Sequence, residues 1–348
     1  YKLKDNLESL LSIKKGSKYF CKNKENLTYF RQLFKVFEAK DISYIRRYRI
    51  LGTMKIIVHA TDKDLAKCDR DDINQIIAFM HKAYASPKSK GDFIKDVKYI
   101  WKTLFPEKDE KDRADETIIP YTVRHLSAKI DKSKERLRGD KLSFEEFEKV
   151  VNYFSNKPCM QFYLNFSLES LGRPQEILYL KIKNIEWFDN YAKINLSEHG
   201  KEGLGLLQCI DSYPYLIKWL EKHPLSKEEN SYLFINEGYK ELGKQLKPST
   251  INKRLKQACK HLNIRKPFTC YSIKRNGVTF RRLSGESDMD IQHAARWTSA
   301  KQLQTYDLSD QEDAFKIALI KKGMLKPNEN QKHLAPETKL CVFCNTRL

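Results

Sequence analysis

The stretch Ser170-Leu171-Gly172-Arg173-Pro174-Gln175-Glu176-Ile177-Leu178-Tyr179-Leu180 decides how the chain is read. Pro174 suits the first position of a helix, where its missing N–H is not needed and its fixed φ is already helical. Glu176 then lies in the first turn, favoured by the helix dipole, whereas Arg173 at the same end is opposed by it. A cation set against the dipole calls for an anion to hold. Arginine suits that task, because its planar fork can give two parallel N–H bonds to one oxyanion.

Upstream, Leu142-Ser143-Phe144-Glu145-Glu146-Phe147 opens the same domain. Ser143 reads as an N-cap and Glu146, three residues on, closes a capping box. Helices are expected at about 143–156, 158–171 and 174–182. Tyr191–Leu196 alternates as a strand, and Gly203–Ile210 reads as its hairpin partner across the turn Glu198–Gly203. After Pro214 the chain reads as helical to its tail. From Lys326 onward, Pro327, Asn328, Asn330 and Pro336 mark an extended polar tail ending at Cys341-x-x-Cys344.

The first hundred residues read as a small helical bundle. Leu27, Phe30, Leu33, Phe34 and Phe37 recur at helical spacing, Asp69 caps a helix with acids in its first turn, and Ser89–Leu104 is amphipathic and stopped by Pro106. From Glu107 to Gly139 mixed charges replace apolar residues, as in a solvated linker. The expected domains are therefore 1–106, a linker 107–139, 140–323, and a tail 324–348. The fold class is mainly α with one small antiparallel sheet.

The 348 residues carry 65 Lys+Arg against 45 Asp+Glu, a formal net charge of +20. In a chain that is 41% hydrophobic, that excess implies a folded protein facing a polyanion, with nucleic acid the first candidate and an anionic membrane the second. No run of about 18 apolar residues occurs, so no transmembrane helix is expected; with nucleic acid the first candidate, no membrane partner is expected. Apart from Cys341 and Cys344 the cysteines are scattered, as in a reduced, cytoplasmic protein. Tyr44-Ile45-Arg46-Arg47-Tyr48-Arg49 interleaves aromatic and basic side chains. It reads either as a phosphate-tracking surface or as an amphipathic helix with a solvated face.

Three further motifs complete a set. Lys201 sits in the expected hairpin turn. Cys270-Tyr271-Ser272-Ile273-Lys274-Arg275-Asn276-Gly277 opens a basic helix. Trp297 is followed nine residues later by Tyr306. With Arg173 and Glu176, in this order, they make residues 142–322 resemble the catalytic domain of the tyrosine recombinases, the family of phage and archaeal integrases and Xer-type resolvases. The resemblance implies an α-rich catalytic domain preceded by a helical core-binding domain that clamps DNA. It also implies a Gly-His or Gly-Trp pair at the Trp297 position and a His-x-x-Arg motif at Tyr271 and Lys274, so both of the latter depart from the pattern.

What the resemblance implies for chemistry follows the same residues. Tyr306 is the expected nucleophile, forming a 3′-phosphotyrosine link. Arg173, Lys274, Trp297 and Tyr271 would hold the non-bridging oxygens, and Lys201 would protonate the leaving 5′ oxygen. Lysine in the arginine slot keeps charge but loses the fork, and Arg275, about 100° further round the helix, is the alternative occupant. Arg46, Arg47, Arg49 and Arg275 are the expected DNA contacts. No cofactor is expected for catalysis, while Cys341 and Cys344 offer half of a structural zinc site. The expected partner is a double-stranded attachment site bound by a homotetramer, with a monomer or dimer free in solution. Three functions remain open: an integrase of an archaeal mobile element, a recombinase-fold protein that binds DNA without cutting, and a type IB topoisomerase-like enzyme that relaxes supercoils.

Overall fold

The computed structural model describes residues 17–129, 139–196 and 204–336, and the chain divides into two compact units, Tyr1–Arg136 and Leu137–Leu348. In the first, helices α1 (Leu27–Ala39), α2 (Tyr44–Ala60), α3 (Arg70–Ala83) and α4 (Pro87–Leu104) enclose one core. Helix α1 contributes Phe30, Leu33 and Phe37 from one face. Asp69 accepts from the amides of Asp71 and Asp72, and the Asp72 carboxylate returns the bond to Asp69 N, so α3 starts on a closed capping box. Helix α4 begins at Pro87 with Ser86 as its cap, two residues earlier than expected.

The expected linker 107–139 needs correction. Strands β1 (Glu107–Lys108) and β2 (Ala114–Asp115) pair as a tight hairpin, followed by a short helix α5 (Tyr121–Arg124). The Asp109 carboxylate accepts from the amides of Lys111 and Arg113 and so satisfies the turn. Val123 and Leu126 are buried in the core of the first unit. Charge density disguised the segment as solvated, although Asp109 serves its turn and the buried Val123 and Leu126 anchor it.

The second unit is built round α7 (Pro158–Ser170), preceded by α6 (Phe144–Tyr153). Ten of the thirteen residues of α7 are buried, so this helix runs through the interior. Ser143 and Glu146 close the capping box of α6 as the sequence indicates. After the short α8 (Pro174–Leu178), which ends four residues before the expected position, strands β3 (Ile185–Trp187), β4 (Ala192–Leu196) and β5 (Gly205–Cys209) form an antiparallel sheet in the order β3-β4-β5. Ile194 pairs with both Ile185 and Leu207, which sets the buried face of the sheet against the core. The small sheet thus has a third strand that the sequence reading lacked.

Helix α9 (Tyr213–Leu220) follows. The expectation of helix from Pro214 onward fails over 221–247, which runs as turns with isolated bridges Lys181–Tyr232 and Ile235–Gln245. Side chains hold this stretch in place of a helical ladder: Trp219 Nε1 donates to Leu233 O at 2.8 Å, and the His223 ring lies 3.1 Å from Tyr232 O. Helices α10 (Pro248–His261), α11 (Cys270–Leu283), α12 (Asp288–Ala294), α13 (Lys301–Tyr306) and α14 (Gln311–Lys321) complete the unit. Gly277 lets α11 lie directly on α7, since a Cβ there would sit 2.4 Å from Leu168 O. Of the tail expected from Lys326, residues Glu329–Leu334 form a turn of 3-10 helix, where Gln331 Nε2 donates to Leu283 O and His333 Nε2 to Ser284 O.

Besides its main core, the second unit has a small separate apolar cluster of Leu171, Val278, Ile291, Ala295, Trp297 and Leu303, against which Tyr306 packs. Among the described residues no helix is long and apolar enough to cross a membrane.

Candidate active site

Arg173 is placed by the end of α7 and the start of α8. Leu171 turns the chain in the left-handed region at φ +50°, and Arg173 takes the N-cap position before Pro174. Glu176, one turn into α8, reaches back. Its Oε2 accepts from Arg173 N at 3.0 Å, and its Oε1 accepts from Arg173 Nη1 at 3.1 Å. A second guanidinium closes on the same carboxylate, Arg296 Nη2 lying 2.6 Å from Glu176 Oε2. Burial by itself would raise the Glu176 carboxyl. The Arg173 backbone N–H and the charges of Arg296 and Arg173 outweigh it, holding the group below the ordinary glutamate value.

Lys274, Trp297 and Tyr306 come together as a stack. Lys274, on α11, is 2% exposed, with Nζ 5.3 Å from the Trp297 ring centroid and 5.4 Å from that of Tyr306. The two rings lie 5.0 Å apart at 38°. An ammonium against two aromatic faces is attracted by their quadrupoles, more strongly where water is excluded. Trp297 Nε1 is buried with no hydrogen-bond acceptor among the described residues. A buried donor left unmatched costs about 1–3 kcal/mol, a burden found where a ligand completes the bond.

Lys274 and Arg275 leave α11 in different directions. Lys274 faces Trp297 and Tyr306, whereas Arg275 pairs with the nearly buried Asp140. Asn276 continues that joint, donating to Asp140 O and accepting from Leu142 N. The Arg275 guanidinium, expected among the DNA contacts, fastens the start of the second unit to α11. Tyr271, one turn before Lys274, is 45% exposed.

In the first unit Arg47 is buried, stacks on Phe34 and Tyr44, and donates from Nε to Ile42 O, so it too is held inside the fold. Arg46 lies over the Tyr99 ring at 5.4 Å, and Arg49 pairs with buried Asp96 at 2.6 Å while its side chain remains half exposed. The aromatic-basic run is thus the first part of a helix whose arginines partly brace its own bundle. Lys201, Cys341 and Cys344 lie outside the described residues.

Arg296 was missed by sequence reasoning. It stands where the resemblance expects glycine, and its φ of +58° explains why glycine suits the position. The available signal was that single mismatch before Trp297. Gly205 on β5 belongs with it, because a Cβ there would lie 2.6 Å from Arg296 Cδ.

The phage integrase family model matches residues 140–313, which include Arg173, Glu176, Lys274, Arg296, Trp297 and Tyr306. The chain belongs to this family, whose members are tyrosine recombinases. Similar solved structures agree in fold. The XerH site-specific recombinase bound to palindromic difH substrate is 17% identical at a TM-score of 0.63, covering 91% of this chain and 93% of that one. A lambda integrase dimer bound to a COC′ core site is 14% identical at 0.62, covering 80% and 76%. The Tn1549 transposon integrase in complex with transposon right end DNA is 11% identical at 0.63, covering 84% and 98%. No curated protein matches the chain.

Proposed function

We propose that this protein is a site-specific recombinase that integrates or excises a mobile DNA element, with Tyr306 as its nucleophile. The observation that carries the reading is the contact of buried Lys274 with both Trp297 and Tyr306, which gathers a phosphate-holding cation, a donor and a phenol in one place. The Tyr306 hydroxyl gives its proton to water, the resulting phenolate oxygen attacks the scissile phosphorus, the bond to the 5′ oxygen breaks, and a 3′-phosphotyrosine link forms. Lys201 gives the departing oxygen its proton, leaving a free 5′-hydroxyl. Arg173 and Lys274 stabilise the charge that builds on the non-bridging oxygens, and Trp297 and Tyr271 supply hydrogen bonds to them. The covalent link conserves the energy of the phosphodiester, so a second 5′-hydroxyl religates it without ATP. A fixed set of cations can hold the charge without a divalent metal.

The partner in this reading is a double-stranded attachment site in the cytoplasm, bound by four copies so that two duplexes exchange strands. Arg46 and Arg49 of the first unit add phosphate contacts.

The test is covalent capture on nicked duplexes, from which the cleaved strand escapes and traps the adduct. The wild type is expected to give a protein–DNA adduct that persists in EDTA, and Tyr306→Phe to give none while binding DNA as before. An adduct at wild-type yield from Tyr306→Phe removes Tyr306 as nucleophile. Binding without any adduct from the wild type favours a DNA-binding protein that does not cut. Relaxation of a supercoiled plasmid without exchange between two sites favours a topoisomerase.

A further inference from the structure

We infer that Arg296 is a positioning residue: by occupying one oxygen of Glu176 it stops that carboxylate from closing a two-pronged fork on Arg173. The inference rests on the recombinase reading and adds a residue that the motif set does not contain. Glu176 and Arg173 stand one helical turn apart at the start of α8, close enough for a bidentate pair. Such a pair is the preferred geometry of arginine with carboxylate. It would match the Arg173 charge and turn two N–H groups toward the protein and away from a phosphate. In the structure Glu176 Oε2 is taken by Arg296 Nη2 at 2.6 Å and by Arg173 N at 3.0 Å. The Arg173 side chain meets Oε1 by a single bond at 3.1 Å.

Two local concessions converge on the Arg296 stem. Its backbone lies at φ +58°, a region unfavourable to any residue with a Cβ by about 1–2 kcal/mol. Strand β5 carries Gly205 where a side chain would collide with Arg296 Cδ at 2.6 Å. A merely solvated arginine would need neither. Charge argues in the same direction. The phosphodiester brings one negative charge and the attacking phenolate a second. Arg173 and Lys274 would balance both if Glu176 did not subtract from them, and Arg296 offsets Glu176.

The test uses full-length protein and a pool of nicked duplexes of randomised sequence, the duplex recovered as wild-type adduct then serving as substrate. Arg296→Gly removes the side chain and relaxes the backbone. It is expected to slow single-turnover cleavage about 10²-fold, with affinity for the same duplex kept within about threefold. Adding Glu176→Gln to Arg296→Gly is expected to restore cleavage by about tenfold or more, because a neutral amide no longer competes for Arg173. Arg296→Lys, which keeps a cation at Oε2, is expected to fall between wild type and Arg296→Gly. Circular dichroism checks that the variants fold.

Cleavage by Arg296→Gly at the wild-type rate overturns the inference. So does a slow Arg296→Gly that Glu176→Gln fails to rescue, since Arg296 would then act by holding the fold. An Arg296→Lys as slow as the glycine variant also overturns it, because charge at Oε2 would not be what matters. If the wild type captures no duplex from the pool, the recombinase reading itself falls and the inference with it, a result separable from the other three.

Discussion

Lys274 and Arg275 are neighbours in sequence with separate tasks. Lys274→Ala removes a buried charge from between Trp297 and Tyr306, and is expected to lower the cleavage rate by about 10²-fold or more in single-turnover assays. Arg275→Ala instead strands the buried Asp140 carboxylate. It is expected to lower folding stability by about 1–3 kcal/mol in urea titration, with cleavage by the folded fraction little changed. The reverse pattern would put Arg275 at the phosphate. Glu176 gives a pH signature. Its carboxyl is held below the ordinary 4.5, so its contribution is complete above that value and is lost as pH falls through the lowered one. Wild type and Glu176→Gln are therefore expected to differ in stability at neutral pH and to converge in acid. Parallel curves down through that range would show that the carboxyl is not held low. Tyr306, Trp297 and the charged residues of α11 could be singled out in the sequence by their spacing, and the structure brings Lys274, Trp297 and Tyr306 together. Arg296 was not, because its importance lies in a contact with Glu176, 120 positions away.

Elements were legible where local chemistry defines them. The capping box at Ser143 and the N-cap at Asp69 are written in nearby side chains and appear as read, and Asp72 closes a box on Asp69 as well. Strand β3 is three residues long, too short for alternation to show, and exists through its pairing with β4. The 221–247 stretch contains apolar residues at helix-like intervals, yet Trp219 and His223 fix it by long-range bonds to backbone carbonyls. The closest joint between elements is the crossing of α11 and α7 at Gly277. Gly277→Ala would gain helix propensity but drive a Cβ to 2.4 Å from Leu168 O and 2.7 Å from Leu171 Cδ2. A backbone oxygen cannot swing aside, so the variant is expected to lose about 1–3 kcal/mol, read as a lower urea midpoint. An unchanged midpoint would mean that the two helices do not depend on their close approach.

At the scale of the whole molecule the net charge of +20 sets the terms of DNA binding. Each Lys or Arg that meets a phosphate releases condensed counterions, so log affinity for duplex is expected to fall with log salt at roughly 0.9 per contact. Fluorescence anisotropy on a labelled duplex at rising salt measures the slope, and a flat profile would remove DNA as the main partner. The two cores of the second unit are unequal. The large one holds α6, α7 and the sheet, while Trp297 and Leu303 of the Tyr306-bearing segment belong to the small cluster with Leu171, Val278, Ile291 and Ala295. Regions secured by few apolar contacts open at a fraction of the free energy of global unfolding. The amides of α12 and α13 are thus expected to exchange with deuterium far sooner than those of α7. The tyrosine can then be presented or withdrawn as a local event, on its own clock, while the rest of the domain stays closed.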